Sequence, residues 1–334
     1  MGVKSISKEE PEGVLLFGRK VTGNRVYFMD LKLTGRTIAR LRKQVGLTQG
    51  GLAEKLGISD KAVSKWERGI SCPDVSLWNK LSILLDTDIE SLLYSYEEEK
   101  DWQGILILNP SISSKIIIYN KPLLSYLISQ FLLVGITNIT VIAKSVDFDF
   151  PEISLEFVED ISKVNYRFNK VFVIYGNSFL YGPNLTKHFK RAMSRNEGIT
   201  VIASMKRRGD YMLNIDENRH AVLTKDFSMN QYYAEPFIFI PQIDKVDLNL
   251  DQKILLTNSN LNAETMVRGM VSFQVISYES AFNFAQFVKI IEETTGEQIG
   301  CIEEILIRRG IIKFEEICKY IDSDTKEYLN RIFL

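Results

Sequence analysis

Between Ser59 and Gly69 the chain sets Asp60, Lys61, Ser64, Lys65 and Arg68 around an apolar pair, Val63 and Trp66. At 3.6 residues per turn that pair shares one face of a helix, which leaves the polar set on the other. Ammonium, guanidinium and hydroxyl groups on one helical front are donors for phosphate oxygens and for base edges in a groove. Gln49, ten residues before the helix, adds an amide of the same kind. The chemistry these residues suit is recognition of a polyanion, without bond making. Their surroundings agree. From Thr34 to Gly69 the bases Arg36, Arg40, Arg42, Lys43, Lys55, Lys61, Lys65 and Arg68 outnumber the acids Glu54, Asp60 and Glu67, inside a chain whose formal net charge is -1.

Residues for other chemistries are scattered. Cys72, Cys301 and Cys318 lie far apart with no C-x-x-C pair, which speaks against a disulfide framework or a structural zinc site and fits a reducing compartment. His188 and His220 sit in unrelated segments, so no histidine-based metal site, and no cofactor, is expected. With 45% hydrophobic and 25% charged residues the composition is that of folded globular protein. There is no apolar leader and no run near the ~18 apolar residues of a membrane span, so the expected location is the cytoplasm, away from membranes.

The elements that must position these residues fall into two domains, as 334 residues suggest. Residues 1–33 hold two short apolar runs, Val14–Phe17 and Val26–Met29, with Gly23-Asn24 able to turn a hairpin between them. Residues 34–93 read as short amphipathic helices. Thr34 is the expected cap of the first, which Gly46 ends; Thr48 caps a second that Gly57 ends; Ser59 caps the third. Two short helices across a glycine turn make a helix-turn-helix. Residues 94–103, with Glu97-Glu98-Glu99-Lys100, read as a linker or a frayed helix end. From 104 to 334 apolar strands alternate with helices, the pattern of an α/β domain with βαβ units and a mostly parallel, Rossmann-like sheet. Ligands of such sheets sit at the carboxyl ends of strands, here near Asn109, Lys144 and Asn177. Phe282, Phe284 and Phe287 read as helix core.

Over Gly35–Leu93 the chain resembles the lambda-repressor-like (XRE) helix-turn-helix family. The residues that carry this are Ile38-Ala39-Arg40-Leu41-Arg42, Leu47-Thr48-Gln49, Leu52 through Ser59, and Val63 through Gly69. The resemblance implies that Gln49 contacts phosphate, and that Asp60, Lys61, Ser64 and Lys65 reach base edges or flanking phosphates. Gly50-Gly51 departs from the family, which has helix formers there. Each glycine costs on the order of 1 kcal/mol relative to alanine.

From Gly104 onward the chain is similar to glucose-1-phosphate thymidylyltransferases and related sugar nucleotidyltransferases. The matching pieces include Tyr119-Asn120-Lys121-Pro122, Gly135-Ile136, Tyr175-Gly176-Asn177, Tyr181-Gly182 and Arg268-Gly269. The tail Phe287-Val288-Lys289-Ile290-Ile291-Glu292 through Gly296, Cys301, Glu303-Glu304 and Arg309-Gly310 is the most distinctive. The resemblance implies a GT-A-like fold with C-terminal helices. It also exposes losses. Where the family has the phosphate-cradling loop GGxGTRL, this chain has Leu108 through Lys115, with a proline and no glycine or arginine. Its GDN aspartate is Asn177, its WLDTGT aspartate is Gln274, and its EKP segment gives way to Lys225-Asp226-Phe227. Neutral amides at both aspartate positions are poor ligands for Mg²⁺, on which phosphoryl transfer depends. Lys121 is retained, and its ammonium could pair with a phosphate.

The expectation is therefore a regulator that binds double-stranded DNA, as a homodimer or higher homo-oligomer, with an inactive transferase-like domain. That domain would sense a nucleotide or nucleotide-sugar effector through Lys121, Asn109 and Asn177, hold subunits together, or both. Polysaccharide or cell-envelope genes are the expected targets. The alternatives are an active sugar-1-phosphate nucleotidyltransferase with a DNA-binding module, and a protein-binding scaffold that binds no DNA.

Overall fold

The computed structural model describes residues 14–16, 28–85, 101–143, 150–205, 211–225, 232–245 and 260–333, besides the isolated positions 87, 89, 92, 148 and 256. They group into two compact units, Met1–Glu97 with Asp322–Leu334, and Glu98–Ile321.

In the first unit β1 (Val14–Leu16) pairs antiparallel with β2 (Phe28–Asp30), Leu15 opposite Met29, as a hairpin requires; the Gly23-Asn24 connection lies outside the described residues. β2 runs directly into α1 (Leu31–Gln44). The helix thus starts three residues before the expected cap, and Thr34 is a buried residue inside it. The cause is packing: starting at Leu31 places that side chain in the helical core with Ile38. α2 (Gln49–Leu56) and α3 (Asp60–Glu67) follow the local signals. Thr48 Oγ1 accepts from Gly51 N and Ser59 Oγ from Ala62 N, while Gly57 closes α2 at φ +75°, a left-handed conformation that glycine adopts at little cost. The Pro73–Leu85 stretch is helical only after a 3-10 turn at Val75–Leu77, which Asp74 caps; α4 spans Trp78–Leu84. Within residues 88–93 only Ile89 and Leu92 are described. The core joins Ile38, Leu52, Val63, Trp66, Trp78 and Leu81.

The second unit begins with β3 (Trp102–Ile107). Trp102 and Gln103, assigned from sequence to a linker, are buried strand residues, because the Gln103 amide bonds Thr140 Oγ1, Asn165 O and Arg167 N. Then come β4 (Ile117–Ile118), β5 (Lys121–Pro122), α5 (Leu123–Leu132), β6 (Asn138–Ile142), β7 (Ser154–Val158), β8 (Lys170–Tyr175), β9 (Ser178–Tyr181), α6 (Leu185–Met193) and β10 (Ile199–Ser204). After them run β11 (Met212–Ile215), β12 (His220–Thr224), β13 (Tyr232–Ile240), β14 (Leu261–Thr265), β15 (Val271–Gln274), α7 (Tyr278–Thr295), α8 (Ile302–Arg308) and α9 (Phe314–Ile317). α10 (Ser323–Phe333), read from sequence as part of the α/β body, groups with the first unit and buries Thr325, Tyr328 and Leu329.

Among the described residues the main sheet has nine strands in the order β10-β14-β12-β11-β13-β8-β3-β6-β7. β8, β3, β6 and β7 form the expected parallel run, and β3–α5–β6 is a strand–helix–strand unit. Beyond β8 the sheet is mixed, since β13 returns antiparallel to both β8 and β10 and β11–β12 is a hairpin. β8 is sandwiched, so its sequence is a continuous apolar run. Phe172 stacks on Phe239 at 4.2 Å and meets Phe131 and Phe189 from α5 and α6. Val171 and Val173 join the separate apolar cluster of Val201, Ile238 and Ile240. Gly104 lets α5 approach β3: a Cβ there would lie 2.8 Å from the Phe131 ring.

Candidate functional sites

Two places have site geometry, one in each unit. In the first, α3 is held by its rear. Val63 and Trp66 are buried, and a Cβ on Gly35 of α1 would run into the Trp66 carbonyl oxygen, so this glycine allows the close approach of α1 to α3. The far end of α3 is fixed by an ion pair, Arg42 Nε to Glu67 Oε1 at 2.5 Å, with both side chains 8% exposed. Arg42 Nη1 also donates to Leu47 O, and Gln49 Nε2 donates to Glu67 Oε2 at 2.7 Å. Burial by itself would raise the Glu67 pKa; the hydrogen bonds from Arg42 and Gln49 and the charges of Arg42 and Lys43 override it and hold the carboxyl below its ordinary range. One buried carboxylate thereby locks α1, the start of α2 and the end of α3 together.

On the front of α3, Lys61, Lys65 and Arg68 are exposed and Ser64 half-buried, at the i, i+3, i+4, i+7 spacing of one helical face. No ion pair among the described residues engages Lys61 or Lys65. Arg68 Nε leans back onto Ser64 O at 3.2 Å. Asp60 is exposed at the helix start, where its Oδ1 accepts from Lys61 N. Gln49, at the start of α2, reaches the end of α3, its amide nitrogen turned to Glu67. The arrangement can offer a row of cations and a hydroxyl to a polyanion from a rigid base.

In the second unit the carboxyl ends of β3 and β8 meet at Asn109 and Asn177, as expected. Asn177 is fully buried, just after Gly176 at φ +68°. Its Nδ2 donates to Asn109 O at 3.2 Å and to Val275 O at 3.1 Å, and its Oδ1 accepts from Asn109 N at 3.2 Å. Two carbonyls and one N–H around the side chain also fix which way the amide points. Val275 N returns a bond to Asn177 O, so the side chain ties the β3 loop to the β15–α7 junction. Next to it Gln274 is exposed. The loop after Asn109 turns its carbonyls onto the start of α5: Ser114 O accepts from Leu124 N and Ile116 O from Leu123 N.

Among the described residues no hydrogen bond or ion pair joins Lys121 to Asn109 or Asn177. Its ammonium lies 3.7 Å from Glu292 of α7 and 3.3 Å from Asn120 Oδ1, mostly buried. Glu292 also takes the Asn120 amide at 2.9 Å and Ile299 N at 2.8 Å, which makes this cluster a clasp for the C-terminal helices. Lys144 and Asp226 lie outside the described residues. Two buried acids escaped the sequence reading. Glu235, 3% exposed, bonds Ser204 Oγ and Ser272 Oγ; a lone acid in the apolar run of β13 was its signal. Glu264 holds His188 at 2.8 Å and Arg219 at 2.9 Å, joining α6 to β14. Burial, with Glu303 nearby, pushes the Cys301 thiol up, unlike an activated nucleophile. Among the described residues no group of three or more His, Cys, Asp or Glu could hold a metal ion, and no helix is long and apolar enough to cross a membrane.

Comparison with known proteins agrees with this two-part reading. A helix-turn-helix family model matches residues 38–92. The uncharacterized HTH-type transcriptional regulator YqaE of Bacillus subtilis (strain 168) is 36% identical over 66 residues, 20% of this chain and 57% of that protein. The P22 c2 repressor, solved in complex with a synthetic operator, is 33% identical with a TM-score of 0.18, covering 18% of this chain and 92% of its own. A glucose-1-phosphate thymidylyltransferase of Neisseria meningitidis serogroup A / serotype 4A is 23% identical over 259 residues, 64% of this chain and 90% of that enzyme.

Proposed function

With an XRE-family helix-turn-helix domain joined here to a glucose-1-phosphate thymidylyltransferase-like domain, we propose that the protein is a sequence-specific DNA-binding transcription regulator with a catalytically silent transferase domain. The observation that carries the first half is the front of α3. Lys61, Ser64, Lys65 and Arg68 are presented together on a helix whose rear is locked, the form in which a helix enters a major groove. Lysines and Arg68 bind phosphates or guanine edges, Ser64 either, and Asp60 a cytosine amine. Gln49, bonded to Glu67, acts as a support of this face. As a dimer the protein would span half-sites about one helical turn, ~34 Å, or a multiple apart.

The silent half rests on Asn177. A metal-holding aspartate at this place would have to face the carbonyls of Asn109 and Val275, to which the amide now donates. With that side chain spent on the backbone, the carboxyl end of the sheet serves to bind and not to turn over. A nucleotide or nucleotide sugar is the effector class that the resemblance favours. It regulates only if it binds one arrangement of the subunits better than another. By the same resemblance the target genes serve polysaccharide or cell-envelope synthesis, and the protein works in the cytoplasm.

Selection of bound fragments from random double-stranded DNA tests the reading. The account expects one enriched motif with two related half-sites, lost in Lys61→Ala/Lys65→Ala; no enrichment sinks it. In parallel, glucose 1-phosphate with dTTP and Mg²⁺ is expected to release no pyrophosphate above the enzyme-free rate.

A further inference from the structure

α7 has two apolar faces, and the fold uses one. Ala281, Phe284 and Val288 are buried, with Phe284 packed on Tyr126, Phe179 and Phe273 at ring distances of 4.9–5.2 Å. Phe282, read from sequence as core beside Phe284, is instead 62% exposed, because two helical residues turn the chain by about 200°. Tyr278 is 79% and Ile290 59% exposed. At about 100° per residue, Tyr278, Glu279, Phe282, Gln286, Lys289 and Ile290 all fall within one sector opposite the buried face. Single exposed apolar residues are ordinary, whereas here three share one outward stripe of an 18-residue helix.

We propose that this stripe takes a second copy of the chain, with α7 packed antiparallel on its symmetry mate. The order of residues along the stripe is self-complementary about a two-fold axis at the level of residue 284. Tyr278 then meets Ile290 of the mate, Phe282 meets the stem of Gln286, and Glu279 meets Lys289. Each contact occurs twice, as an isologous interface requires. A parallel pairing sets Glu279 against Glu279 and Lys289 against Lys289, so the charges select the antiparallel mode. Lys289 is at present 3.8 Å from Glu293, in an exposed i,i+4 pair of the weakly held kind, and can exchange it for Glu279 of the mate. The inference deepens the dimer invoked under the proposed function, yet it concerns α7 alone and holds whether or not α3 reads DNA.

Sedimentation equilibrium of the full chain without DNA tests it. The parent is expected to associate reversibly to a dimer, and Phe282→Glu to weaken that dimer by roughly tenfold or more, the effect of losing a central aromatic anchor. Glu279→Lys and Lys289→Glu are each expected to weaken it, and the double exchange to return association near the parent. All four are exposed positions or pairs, and far-UV circular dichroism checks that the variants stay folded. A monomeric parent, an unaffected Phe282→Glu, or a double exchange no better than either single overturns the pairing. Because no DNA is present, a chain that dimerises and fails to select DNA refutes the regulator reading alone.

Discussion

Asn177→Asp restores a carboxyl group where the related enzymes carry one, and it is expected to harm the protein. Asn177 is fully buried, and its amide nitrogen is the hydrogen-bond donor to Asn109 O and Val275 O in the described site. An ionised aspartate donates to neither, and each buried carbonyl left without a donor costs about 1–3 kcal/mol. The desolvated charge adds to this, so the expected loss at neutral pH is about 3–5 kcal/mol. Protonation relieves part of it, because a neutral carboxyl can donate one bond. Burial beside two carbonyls raises the folded pKa of this aspartate above its unfolded value of about 3.9. A group with a raised folded pKa keeps its stability contribution below the unfolded pKa and loses it as pH rises through the folded one. The deficit of Asn177→Asp against the parent must therefore widen from acidic to neutral pH. Chemical denaturation, followed by circular dichroism and by fluorescence of the buried Trp102, measures it at several pH values with and without Mg²⁺. A variant within about 0.5 kcal/mol of the parent at neutral pH, or one that Mg²⁺ stabilises, refutes the reasoning that this side chain is a backbone tie.

Four further outcomes follow from the helical unit. Glu67→Ala leaves the buried Arg42 guanidinium without its carboxylate and should cost about 3–5 kcal/mol, read as a lowered unfolding midpoint of that unit. In the parent, the depressed Glu67 pKa gives a contribution present above the ordinary value of 4.5 and lost as pH falls through the lower folded pKa, so acid unfolding of this unit should be milder in Glu67→Gln. Gly50→Ala places a methyl group within α2 with only an ordinary contact, Thr48 Oγ1 at 3.9 Å, and should stabilise by about 0.5–1 kcal/mol, measured by the same denaturation. Gly35→Ala drives a methyl group into the Trp66 carbonyl and should separate α1 from α3, lowering both stability and DNA affinity.

What could be read from sequence is what is local. Thr48, Gly57 and Ser59 punctuate α2 and α3 through bonds spanning a few residues, and the outward set on α3 follows from the placement of Val63 and Trp66. The α/β class was equally legible, since β8 and α5 carry their burial in composition. The rest needed contacts across long separations. The bond from Gln49 to Glu67 spans 18 residues and has no local signal. Lys121 looked like a pocket cation, yet its partner Glu292 belongs to a helix near the other end of the chain. Thr34 looked like a cap because the helical burial of Leu31 is decided by the core and not by local chemistry. Phe282 looked like core because clustered aromatics do not reveal which side of a helix is already covered.

The central claim is that the front of α3 binds DNA, and the salt dependence of affinity is its most direct test. Each phosphate neutralised on duplex DNA contributes a slope of about −0.9 in log K against log salt. Affinity for the selected site is expected to fall steeply as salt rises, with a slope shallower by about 2 in Lys61→Ala/Lys65→Ala. An affinity insensitive to salt, or a slope unchanged by removing both lysines, would contradict it.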